Sequence, residues 1–188
     1  MKQYSTTFAT KFAAFAAALF LAGGAFAAEP VKVETENTMM LFEREQSGSG
    51  ERLYLRHFGP KIADEAGALA LAVKSGPISS LGTDNPLAYP VFGESGRWIN
   101  RFGGLKVTHD NGTVTLDLIV EKIERDGEAL KVRWRDAVHD FRVIQTFRPR
   151  ADADVVETWV ELVNGEKGAV RISRLTSFAL VVPMLAND

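Results

Sequence analysis

The sequence predicts an all-β chain folded as an antiparallel β-sandwich. Apolar residues recur at every second position in several segments, as half-buried strands require. Gly-containing dipeptides separate those segments. No stretch carries the 3.6-residue period of a long amphipathic helix, so no helical crossovers are available to build a parallel sheet.

The N-terminus stands apart from this pattern. Lys2 and Lys11 supply a positive start, Phe12 to Phe26 is an uncharged apolar run, and Ala25-Phe26-Ala27 places small residues where a signal peptidase reads. A membrane span needs roughly 20 apolar residues, and this run is shorter, with no basic cluster after it. Residues 1–27 are therefore expected to be a secretory signal peptide and residues 28–188 the β-sandwich domain. Export to the periplasm or the extracellular space follows, with no membrane attachment after cleavage. Removal of Lys2 and Lys11 would take the net charge from −2 to −4. That balance offers no positive footprint for nucleic acid. With no cysteine the chain has no disulfides and no thiolate metal site, and its stability rests on its hydrophobic core.

In chain order, Ile62 to Ala72 is the best helical candidate, though Gly67 weakens it. Lys74 to Gly104 is rich in Gly and Pro and breaks the strand rhythm. Long irregular segments in compact domains are often functional, so a ligand surface is sought there. Val114, Leu116 and Leu118 alternate with polar residues, as do Leu130, Val132 and Trp134. Val156, Thr158, Val160 and Leu162 form an inward row, with Trp159 on the opposite face. Val170 and Ile172 continue the alternation, and the phase slips before Leu175, as a β-bulge would cause. Asn111-Gly112, Asp126-Gly127 and Asn164-Gly165 are expected in the tight turns of hairpins. The run Phe178 to Leu185 is strongly apolar and close to the end of the sequence, which suggests a domain that continues beyond it.

Few residues ask for chemistry. His57, His109 and His139 lack metal-ligand spacing and read as surface or boundary histidines, so no metal site is expected. Gly93-Glu94-Ser95-Gly96 misses the nucleophile-elbow spacing by one residue. Asp152 and Asp154 can hold a divalent ion but more simply open a strand by bonding nearby backbone. Asn111-Gly112-Thr113 matches a glycosylation sequon, yet the turn alone accounts for it. Glu121, Glu124, Glu157 and Glu161 lie on the polar phase of strands. Tyr89, Phe92, Trp98 and Phe102 are interleaved with Arg97, Asn100 and Arg101. Aromatic faces beside such donors suit a sugar site, and they suit equally a loop pinned by its own aromatics.

Several segments, in order, resemble glycoside hydrolase family 36. Leu53-Tyr54-Leu55-Arg56-His57-Phe58-Gly59 is similar to an early family strand, and Tyr89-Pro90-Val91-Phe92-Gly93 to the Tyr-Pro-x-Tyr/Phe-Gly segment. The spacing from Leu105 to Leu118 and the pattern from Asp154 through Asn164 and Arg174-Leu175-Thr176-Ser177-Phe178 to Val182-Pro183 follow. The resemblance implies a supersandwich of the galactose-mutarotase-like kind, of which this chain holds the first part. It implies a parent enzyme that hydrolyses terminal α-galactosyl linkages with retention and without a cofactor. In that family the two catalytic aspartates sit in a (β/α)₈ barrel, the nucleophile in a Lys-Trp-Asp-like strand end. Trp98, Trp134 and Trp159 have no such neighbours, so no catalytic residue is expected here and the barrel is expected to be missing from this chain. Oligomeric relatives lend a loop of this domain to a neighbouring subunit's substrate site. By position that loop resembles Gly93 to Arg101, which makes Trp98, Arg97, Glu94, Asn100 and Arg101 candidates for the edge of an α-galactoside pocket. The sequence has Glu94-Ser95-Gly96-Arg97-Trp98 where Gly-Asp-Phe-Arg is commoner. A stand-alone carbohydrate-binding sandwich and a structural interaction domain are the rival readings.

Overall fold

The period-two segments become strands, in the order β1 (Val31–Glu34), β2 (Thr38–Ser47), β3 (Gly50–Pro60), then helix α1 (Glu65–Leu71), then β4 (Leu105–Thr108), β5 (Leu118–Asp126), β6 (Ala129–Asp136), β7 (Phe141–Arg150), β8 (Val155–Asn164) and β9 (Arg171–Leu175). The computed structural model describes residues 30–72, 91–93 and 104–178. The expected signal peptide, most of the Gly- and Pro-rich segment and residues 179–188 lie outside them. Every strand pairing is antiparallel: β1-β2-β3 in one sheet, β5-β6-β7-β8 in a second, and β4 with β9 in a small third. The predicted all-β sandwich is what forms.

The core lies between the sheets. Met40, Phe42 and Leu53 come from the first sheet and Leu130, Val132, Trp134, Val143 and Phe147 from the second. Phe42 meets Phe147 across the interface at 5.2 Å between ring centres. Full burial of each such side chain stabilises by about 1.5–3 kcal/mol, which is how a chain without cysteine holds together. On β6 the alternation holds: Leu130, Val132 and Trp134 are buried, while Lys131, Arg133 and Arg135 are not. On β2 it vanishes. Met39, Met40, Leu41 and Phe42 are all buried, because both faces of that strand are covered.

Other expectations need correction. The Val114–Leu118 strand begins only at Leu118; Val114 is exposed and Leu116 is buried from irregular chain. Two of the three Gly dipeptides do not close hairpins. Asp126-Gly127 does, joining β5 to β6 with Gly127 at φ 60°. Asn111-Gly112 makes a turn on the way from β4 to β5, with Gly112 at φ 84° and the Thr113 N–H donating to Asn111 Oδ1 at 2.9 Å. Asn164-Gly165 leads from β8 into another sheet. There the Gly165 N–H donates to Asp140 O at 2.8 Å, and a Cβ would push the Asp140 carboxylate aside.

The slip before Leu175 is a bulge, as expected: Arg174 faces Lys106 and Ile172 faces Val107, which leaves Ser173 as the extra residue. The helix is real but short. Asp64 caps it by accepting from the Gly67 N–H at 2.8 Å, and a side chain at position 67 would collide with that cap.

Candidate functional site

The chain on either side of residues 94–103 meets at one point of the fold. Val91 and Phe92 are buried in the core, the Val91 N–H donates to Leu53 O at 2.8 Å, and the Phe92 ring lies 6.4 Å from that of Trp134. The carbonyl of Gly93 then accepts from both Gly104 N, at 2.6 Å, and Leu105 N, at 3.3 Å. Thr176 N donates to Gly104 O at 2.7 Å, which ties this neck to the end of β9. A Cβ on Gly104 would press on Thr176 Oγ1, Gly93 O and the Phe92 ring. The close approach explains the glycine. Glu94, Arg97, Trp98, Asn100 and Arg101 all lie in residues 94–103, outside the described residues, as do Tyr89 and Phe102. What is fixed is the base from which residues 94–103 depart.

Glu121, Glu124 and Glu157 on the strands are each paired with a cation. Glu124 is held by Lys122 and Arg133, and those bonds lower its pKa to about 2. Glu157 pairs with Arg150 at 3.3 Å. Asp152 and Asp154 do not converge. Asp152 pairs with Arg150 at 3.0 Å, and that pairing lowers its pKa. Asp154 turns to the distant β1–β2 turn instead, taking the Thr35 hydroxyl, the Asn37 N–H at 3.1 Å and the Thr38 N–H at 3.2 Å. Strand opening by local bonding is therefore not what Asp154 does; it ties two sheets together. A shallow cleft of about 370 Å³ lies beside it, lined by Lys32, Glu34, Thr35, Arg125 and Glu128 among others. Lys32 is itself bonded to Glu65, chiefly for which its pKa is raised, and to Glu34.

The histidines are not isolated. His57 bonds the Pro60 carbonyl locally at 2.8 Å. His109 is buried, and its ring stacks on that of His139 with centres 3.6 Å apart and planes 11° apart. Asp136, also buried, meets the edges of both rings: His139 Nδ1 is 2.8 Å from Asp136 Oδ2, and His109 Nε2 is 3.7 Å from the same oxygen. Glu166 Oε1 is 2.6 Å from His109 Nδ1. Residue spacing hides this group, but strand phase reveals half of it. His109 continues the buried row Leu105, Val107, and Asp136 the buried row Leu130, Val132, Trp134. A titratable residue on an apolar phase must find polar company inside.

Comparison with known proteins follows the geometry. Residues 51–188 match the family model described as the glycosyl hydrolase family 36 N-terminal domain. The solved structures that resemble the chain include the α-galactosidase from Lactobacillus brevis, at 16% identity and a TM-score of 0.63, covering 79% of this chain and 23% of that one. The family 36 α-galactosidase AgaA from Geobacillus stearothermophilus is similar at 14% identity and a TM-score of 0.64, covering 78% and 24%. The galactosidase domain of the α-galactosidase–sucrose kinase AgaSK is similar at 15% identity and a TM-score of 0.62, covering 78% and 24%. The chain thus spans about a quarter of the length of these structures. No curated protein sequence matches it.

Proposed function

Because the chain belongs to the glycosyl hydrolase family 36 N-terminal domain family, we propose that it is the N-terminal sandwich of an exported α-galactosidase-like glycoside hydrolase, supporting a catalytic barrel and subunit contacts without catalysing alone. Two further parts belong to the proposal: residues 94–103 edge an α-galactoside pocket, and residues 1–27 direct export to the periplasm or beyond. The observation that carries the reading is the neck at Gly93, Gly104 and Leu105, where the chain on both sides of the segment holding Trp98 is bonded into the sandwich. A pocket edge needs such a base, because a loop misplaced by an ångström loses its contacts. The family's solved members supply the substrate class: AgaA has been crystallised with raffinose and with stachyose. Large apolar residues left open on β8 and β9, among them Val155, Val163 and Leu175, suit a face that packs against further structure.

Calorimetric titration of the purified chain with raffinose tests the supporting role. An edge needs the rest of its pocket, so no saturable binding is expected. Saturable binding that disappears in Trp98→Ala would make the chain a carbohydrate-binding module in its own right. For export, N-terminal sequencing of the protein recovered outside the cytoplasm is expected to begin at Ala28; a start at Met1 contradicts the signal.

A further inference from the structure

We propose that His109, Asp136 and His139 bind a divalent metal ion of the zinc type, with Glu166 orienting one of the ligands. The group joins three places in the chain. His109 follows β4, Asp136 ends β6 and His139 lies in the β6–β7 turn; Glu166 reaches in from the link between β8 and β9. Their potential ligand atoms, one from each of the first three residues, lie within 4.8 Å of one another. Zn–N and Zn–O bonds of about 2.0–2.2 Å hold tetrahedral ligand atoms about 3.5 Å apart, so binding draws the group inward.

The decisive atom is His109 Nε2. Glu166 Oε1 is 2.6 Å from His109 Nδ1, and a carboxylate can only accept, so the ring proton stands on Nδ1. With the ring neutral, Nε2 carries the lone pair. It is buried, the residue being only 2% exposed, and has no hydrogen-bond partner. It faces Asp136 Oδ2 at 3.7 Å, so two electron-rich atoms confront each other in a dry place. Such an arrangement is costly empty and favourable around a cation. A carboxylate behind the far nitrogen of a histidine is also the partner that fixes tautomer and raises basicity at metal centres.

The remaining groups are prepared in the same sense. Asp136 Oδ1 is occupied by the Asp117 and Val138 N–H groups, each at 3.2 Å, which fixes the carboxylate and leaves Oδ2 turned inward. Glu166 Oε2 accepts from the Asp110 N–H at 3.2 Å, and Phe141 presents its ring at right angles to His109. His139 is the least buried member, and its ring lies parallel to that of His109. It must turn to aim Nδ1 at a shared ion, and the proton that Nδ1 now shares with Asp136 must leave that nitrogen, the ring taking its Nε2–H tautomer. Two imidazoles and a carboxylate make a borderline set that suits Zn²⁺ over Mg²⁺ or Ca²⁺. Water completes the fourth position on the open side of His139. Bound there, the ion clips the small β4–β9 sheet to the end of the four-stranded one.

The test is calorimetric titration of the chelator-treated chain with Zn²⁺, with thermal melts alongside. The proposal expects one saturable Zn²⁺ site per chain, a rise in Tm that EDTA reverses, and no such response to Mg²⁺. His139→Gln, in an exposed turn, is expected to abolish the site while circular dichroism stays unchanged. Glu166→Gln is expected to weaken it by about 10–100-fold. His57→Gln, outside the group, leaves it intact. Absence of saturable binding by the folded parent chain overturns the proposal, and so does binding that survives both His139→Gln and Glu166→Gln.

Discussion

Asp154 shows how one side chain joins distant parts of this fold. Its backbone stands in the left-handed region at φ 50°, which Asp tolerates better than most residues. The Thr35 hydroxyl first, and then the N–H groups of Asn37 and Thr38, hold its carboxyl below the ordinary carboxylate range. A group whose pKa is depressed on folding stabilises above its unfolded value and loses that contribution as pH falls through the folded one. Asp154→Asn is therefore expected to lower Tm at neutral pH, and the gap to the parent should close as the pH drops below about 4. Melts across that range check it; a gap independent of pH contradicts it. Arg52 makes a second case. It is fully buried, with its guanidinium on the Asp117 carboxylate and the Leu118 carbonyl. Asp117→Ala removes a carboxylate bonded to a buried cation, expected to cost about 3 kcal/mol in denaturant unfolding. Arg44→Ala, which breaks only the exposed pair with Glu51, should cost at most about 1 kcal/mol.

At the scale of elements, turns and strands were legible where local chemistry decides them. Gly127 sits at φ 60° in a two-residue hairpin, and the Asp-Gly pair announces that turn. Gly127→Ala is expected to destabilise by about 1–2 kcal/mol, measured by the shift in denaturant midpoint; a neutral result would remove the positive-φ argument. The β6 row was equally readable, because one face of that strand is core and the other is wet. Legibility failed where tertiary context takes over. Both faces of β2 are covered, which erases its alternation. Leu116 is buried without a strand. Gly165 bonds to Asp140 of another turn, which no dipeptide rule can see. The His109–Asp136–His139 group failed for the same reason, since pairing of strands far apart in sequence brings it together. The buried phase of His109 and Asp136 was its only trace. The loop candidates from Glu94 to Arg101 rest on composition and resemblance and lie outside the described residues; what the fold adds is the neck at Gly93, Gly104 and Leu105.

At the scale of the molecule, the sandwich has a dry interior built from two sheets and a third, two-stranded patch that carries the neck. Under the proposed reading it sits beside catalytic machinery, and Glu124 and Glu157 on its own strands are paired with Lys and Arg side chains. The division of labour this implies, scaffold here and acid chemistry elsewhere, is open to one direct measurement. The purified, folded chain is incubated with an aryl α-galactoside and release of the aryl alcohol is followed. The account predicts no turnover above buffer. Turnover that co-purifies with the chain through every column would contradict it.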